Sequence, residues 1–177
     1  MPSGEALFLF GVVPFTWSTV AVLLVGLVAV AILWKPLVVR TGWQPMPIMF
    51  AGVCLAATAA LTLGGAGHVP NTGCVVWNNA GVIGVLTEAS HDLESFFNAA
   101  LLLPLGLTLV LAMRRTLPPL LVVLVLPGLI EAAQLVVPGR VCSTADYLLN
   151  VSGGLVGVAA GAVTVRWSQR ADGVPRG

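Results

Sequence analysis

Five apolar runs, each close to the length a helix needs to cross a bilayer, restrict what this chain can fold into. They fall at 15–34, 47–63, 96–113, 117–137 and 147–165. The hydrocarbon layer of a membrane is about 30 Å thick, and a helix crosses it in roughly 20 residues. Charged residues make up 8% of the 177 positions and hydrophobic ones 58%, whereas a soluble domain carries about 25% charge. The expected fold is therefore all-α: a polytopic membrane helical bundle with about five transmembrane helices, forming a single domain over residues 1–177. The opening MPSGEALF lacks the positive region of a secretory signal peptide, so the first run is expected to remain in the mature protein.

Basic residues orient the bundle. Lys35 and Arg40 follow the first run, Arg114 and Arg115 separate the third from the fourth, and Arg166, Arg170 and Arg176 follow the fifth. With alternating spans these all fall on one side, leaving Arg140 opposite, so the positive-inside rule puts the N-terminus outside and the C-terminus inside. Residues 166–177 then form a polar cytoplasmic tail. The tryptophans agree: Trp34, Trp43 and Trp167 fall at the inner boundary, Trp17 and Trp77 at the outer. The net charge of +1, with no basic patch, argues against a nucleic-acid partner.

Polar residues are costly in hydrocarbon, so their placement carries information. Asn98, Glu131, Gln134, Arg140, Asp146 and Asn150 come from three runs, yet all fall in the outer third of the bilayer or just above it. That shared depth suggests a polar pocket opening outward between the third, fourth and fifth spans. Each residue also has a purely structural reading. Asn98 suits an interhelical hydrogen bond. Glu131 and Gln134, three apart on one face, sit about 9 Å and less below the outer end of their helix, where a carboxylate needs a partner such as Arg140. Ser143 and Asp146 match a capping box, and Asn150 lies one turn further on.

Two stripes of small residues, Gly52, Ala56, Ala60 and Gly64 in the second run and Gly153, Gly157 and Gly161 in the fifth, predict close helix packing. Pro104 is expected to kink the third span. The long outer connection at 64–95 has a middle section suited to a re-entrant or interfacial helix. It holds His68, Glu88, His91, Asp92 and Glu94, but no metal-binding spacing, so no metal or other cofactor is expected. Cys74 and Cys142 both fall on the outer face, where thiols are commonly oxidised, and a disulfide between them is expected; Cys54 stays alone in the membrane.

The ordered set of Asn98, Pro104 and Gly106, Glu131 and Gln134, Pro138 and Arg140, Asp146 and Asn150, then Gly153, Gly154 and Gly157 resembles the VanZ-like membrane protein family. The resemblance covers about residues 94–161, with Leu102 where the family often has an aromatic residue. It implies a multi-pass protein of the bacterial cell membrane, in a family whose founding member gives low-level resistance to the glycopeptide antibiotic teicoplanin. No catalytic mechanism comes with it.

Three function classes follow. The first is an envelope protein whose pocket binds an amphiphile, either a membrane lipid or a lipid-linked cell-wall precursor. Arg140 would meet its anionic group, and Asn98, Gln134 and Asn150 would donate hydrogen bonds. The second is an intramembrane enzyme with Glu131 and Asp146 as an acid/base pair. The third is a non-catalytic subunit or scaffold that holds a partner through its glycine stripes.

Overall fold

Each apolar run becomes a helix because a backbone in hydrocarbon must satisfy its own hydrogen bonds. The computed structural model describes residues 7–9, 13–64, 74–75, 93–137 and 140–171. Its helices are α1 (Trp17–Thr41), α2 (Pro45–Leu63), α3 (Leu93–Leu101), α4 (Leu103–Met113), α5 (Leu117–Gln134) and α6 (Thr144–Ala171). α3 and α4 together make one span, giving five helices long and apolar enough to cross a membrane. Two small strand pairs accompany them. β1 (Leu7–Leu9) and β2 (Val13–Phe15) are antiparallel, while β3 (Cys74–Val75) and β4 (Cys142–Ser143) are parallel. The sequence reading anticipated none of these strands, which are too short for an alternating pattern.

The break in the third span has a specific cause. Pro104 has no N–H to offer the carbonyl one turn earlier, so the helix stops at Leu102 and restarts. Leu102 is fully buried there, in a seam where Ile48 and Ala51 of α2 meet Leu105, Leu109 and Ala112 of α4. Pro127, by contrast, lies inside an unbroken α5.

Two helices outrun their expected ends. α1 continues through Lys35 and Pro36 to Thr41, where Gly42 closes it at φ +70° and its N–H bonds Val38 O at 2.8 Å. A left-handed C-cap of this kind is cheapest for glycine. α6 continues to Ala171, so the first part of the expected polar tail is helical, as its Gln, Arg and Ala content favours. Residues 172–177 lie outside the described residues.

Helix contacts set the order of the bundle. α1 packs on α2, α2 on α4, and α6 on α3, α4 and α5. Most of α1 faces outward, including Leu24, Val25, Val28, Ile32 and Leu33. Such a surface suits lipid contact and would be a liability in water. Both small-residue stripes are used inside the chain. A Cβ on Gly52 would come within 2.7 Å of Val30 Cγ2 of α1, and one on Gly26 within 2.6 Å of Ala56 Cβ. Gly153, Gly157 and Gly161 face Ala99, Leu103 and Val110 in turn, so α6 runs parallel to α3–α4. At the other turn of the bundle, Gln44 N donates to Ala112 O at 3.0 Å. The ends of α1, α4 and α6, with Lys35, Arg40, Arg114, Arg115, Arg166 and Arg170, thus share one end of the bundle, and Arg140 sits at the other.

Candidate functional site

The polar end is assembled around the start of α6. Ser143 caps that helix: Asp146 N donates to Ser143 Oγ at 3.4 Å. In a capping box the acidic residue three positions on would return a bond to the Ser143 N–H. Here Glu131 takes that place, its Oε2 accepting from Ser143 N at 2.7 Å. The Asp146 carboxylate instead accepts from Asn98 Nδ2 at 2.8 Å, joining α6 to α3. Asn150, one turn below, donates its Nδ2 to Asp146 O at 2.9 Å.

Arg140 and Gln134 turn the other way, towards α2. Arg140 Nη2 donates to Leu61 O at 2.7 Å and also to Gly64 O. Gln134 Nε2 donates to Thr62 O at 3.1 Å. The expected ion pair between Glu131 and Arg140 is therefore not formed. The carboxylate serves a backbone N–H at one helix start, and the guanidinium serves backbone carbonyls at the end of α2 (the last carbonyls of a helix have no partner within it).

The expected disulfide is present. Cys74 and Cys142 are bonded with Cα atoms 4.5 Å apart, as opposed residues of the β3–β4 pair. Cys54 is free. The bridge fixes β3 beside the segment that carries Arg140, and Thr144 Oγ1 adds a weak bond to Val75 O at 3.4 Å.

Beneath this strap lies a cavity of about 670 Å³, within the roughly 300–1,000 Å³ range of small-molecule sites. Asn98, Gln134, Arg140, Ser143 and Asp146 line it, with Val75 on the strap. Its walls include one element beyond the three expected. α2 forms a wall with Cys54, Ala57, Thr58, Leu61 and Thr62, opposite Phe97, Leu101 and Pro104 of the third span. Gln134 of α5 and Asp146 of α6 complete the lining, so the second span joins the third, fourth and fifth around the cavity. Glu131 and Asn150 are buried and do not line it. Four of the six polar residues come together around the cavity, and the other two hold α6 in place behind it. Sequence reasoning missed α2 because it carries no charged side chain. Thr58 and Thr62, one turn apart in an apolar span, are too ordinary a pattern to have marked it.

His68, Glu88, His91, Asp92 and the expected re-entrant segment lie outside the described residues, as does Pro138. Among the described residues, no group of three or more His, Cys, Asp and Glu could hold a metal ion.

A model of the VanZ/LLP1 family matches residues 70–164. The chain belongs to the VanZ/LLP1 family. The match takes in Cys74, Cys142 and all six polar residues, and leaves out α1 and α2. No curated protein and no solved structure matches the chain significantly. This VanZ-like protein is thus a membrane protein whose family match covers the strap and the polar end, while α2, outside the match, supplies the opposite wall.

The role found for Glu131 has a measurable consequence. Glu131→Ala deletes the acceptor for Ser143 N–H, and leaving a buried donor unsatisfied costs about 1–3 kcal/mol. Glu131→Gln keeps a side-chain oxygen in place and is expected to lose less than half as much. Thermal unfolding of both variants in detergent checks this. Equal losses would mean that the Ser143 bond is not what Glu131 contributes.

Proposed function

We propose that this protein is a bacterial envelope membrane protein whose cavity, opening to the outer face, holds the polar head of an amphiphile. The ligand is a membrane lipid or a lipid-linked cell-wall precursor, and altered susceptibility to glycopeptide antibiotics follows from handling it. The observation that carries this reading is the lining of the cavity. Arg140, Asp146 and Asn98 stand at its polar end, and Ala57, Leu61, Leu101 and Pro104 line it with apolar surface. A molecule with a charged head and an apolar body matches that gradient. Arg140 meets the anionic group of the head, and Asn98 and Gln134 orient it.

The acid/base alternative is less well supported, since Glu131 does not line the cavity and its carboxylate is engaged by Ser143 N. The scaffold alternative loses its motivation, because helices of the same chain already occupy both glycine stripes. Native mass spectrometry of the protein extracted in mild detergent tests the reading. The expected result is a bound amphiphile with an anionic or zwitterionic head, retained by the wild type and released by Arg140→Gln. A wild-type protein that carries no such molecule and takes up none when lipid is added would overturn it.

A further inference from the structure

Thr58 and Gln134 each carry a buried polar atom with no hydrogen-bond partner among the described residues, Oγ1 and Oε1 respectively. Both side chains line the cavity, and both are almost entirely buried, with 1% and 7% of their surface exposed. A buried polar atom left without a hydrogen bond is destabilising, so a ligand group that supplies the missing partner would be favoured there. We propose that the Thr58 hydroxyl and the Gln134 side-chain carbonyl form a subsite for a hydroxyl group on the head of the bound amphiphile. This rests on the amphiphile reading above and narrows it to hydroxyl-bearing heads.

Neighbouring bonds fix both atoms in place. Gln134 Nε2 donates to Thr62 O at 3.1 Å, which sets the amide orientation and leaves Oε1 as the unused end. A flipped amide would set two carbonyl oxygens against each other. Thr62 Oγ1 donates to Thr58 O at 2.8 Å, so the hydroxyl one turn away is already satisfied while that of Thr58 is not. Thr58 and Thr62 are adjacent on one face of α2, and Gln134 bridges to that face, so the two unused atoms belong to one locality. Thr58 lies six residues before Gly64, which is about 9 Å along the helix. Thr58 is therefore deeper than the carbonyls of Leu61 and Gly64 that hold Arg140.

Hydrogen-bond inventory selects the ligand group. Gln134 Oε1 only accepts, whereas the Thr58 hydroxyl both donates and accepts. One ligand hydroxyl serves both, donating its proton to Oε1 and accepting from Thr58. A choline head has no proton to donate. An ammonium would leave the Thr58 proton without an acceptor and bring charge against Cys54, Ala57 and Leu61, where desolvation opposes it. Two sources fit the shared chemistry: the glycerol head of a phospholipid and the sugar of a glycolipid.

The test compares the binding of three lipids with identical acyl chains to the purified full-length protein by native mass spectrometry. They are phosphatidylglycerol, a glucuronosyl diacylglycerol and phosphatidylcholine. At least one hydroxyl-headed lipid should bind roughly three- to tenfold more tightly than phosphatidylcholine, the range expected for hydrogen bonds between neutral groups. Thr58→Val should remove that preference and Thr58→Ser restore it. A preference for phosphatidylglycerol assigns the phospholipid source, and one for the glucuronosyl lipid the sugar source. Thr58→Val is nearly isosteric and removes an unsatisfied hydroxyl, so the lipid-free variant should unfold at a higher temperature than the wild type. A lower midpoint would mean that a trapped water or a structural bond already satisfies Thr58, and would overturn the subsite. Equal affinities for the three lipids, or a preference unchanged in Thr58→Val, would overturn it while leaving the amphiphile reading intact. Binding of none of the three would remove both.

Discussion

Replacing Cys142 by serine is expected to lower the stability of the protein by as much as about 4 kcal/mol. The bond to Cys74 spans a sequence separation of 68, and loop-closure entropy for a ring of that size gives about that figure. It is an upper value, because a chain confined to a membrane or micelle has less freedom to lose. The local geometry adds a second effect. Cys142 is buried and pairs with Cys74 in the β3–β4 ladder, while Val75, Val141 and Ser143 beside them line the cavity. Cutting the bridge should therefore loosen the wall as well as the fold. Thermal unfolding in detergent, with and without reductant, measures the first effect, and retention of bound lipid measures the second. Mapping under non-reducing conditions should find Cys74 and Cys142 in one linked fragment and Cys54 alkylatable. An unchanged midpoint in Cys142→Ser would show that the bridge restrains nothing the membrane does not already hold.

The helical frame was legible in the sequence because a single quantity, the length of each apolar run, decides whether a segment crosses hydrocarbon. Asn98, Gln134, Arg140 and Asp146 were legible for a related reason: polar side chains are rare at that depth, so each one is informative. What the sequence left open was pairing. Glu131 was read with the Arg140 guanidinium as its partner and Asp146 as the cap of the last helix, whereas Glu131 serves that helix start. A run of residues does not say whether the 140–143 turn carries the guanidinium towards α5 or towards the open carbonyls of α2. Thr58 was missed for the opposite reason. A hydroxyl in a helix ordinarily bonds the carbonyl four residues back, as Thr62 does with Thr58 O, so threonine in an apolar span carries little signal. Only the missing partner makes Thr58 notable, and that is visible only in three dimensions.

The largest effect of a single added methyl group is expected at Gly153. The α6 stripe lets backbone meet backbone: a Cβ at Gly153 would lie 2.7 Å from the Ala99 carbonyl carbon and closer still to its oxygen. At Gly157 it would lie 2.9 Å from the Leu103 carbonyl carbon and 3.0 Å from Leu107 N. These are main-chain atoms of α3 and α4, so no rotamer change can make room, and the helices must separate. Overpacking usually costs about 1–3 kcal/mol, and Gly153→Ala should reach or exceed the upper end. Ala99 adjoins Asn98, so the same movement should pull the Asn98 amide from the Asp146 carboxylate, now 2.8 Å apart, and widen the cavity. Gly128 provides the control. A Cβ there would meet Tyr147 Cε2 at an ordinary 3.7 Å, so Gly128→Ala should be neutral or stabilise by up to about 1 kcal/mol through helix propensity. Detergent unfolding midpoints for the two variants, with lipid retention measured alongside, decide the matter. Equal midpoints for Gly153→Ala and Gly128→Ala would mean that α6 does not approach α3 as closely as the glycine stripe requires.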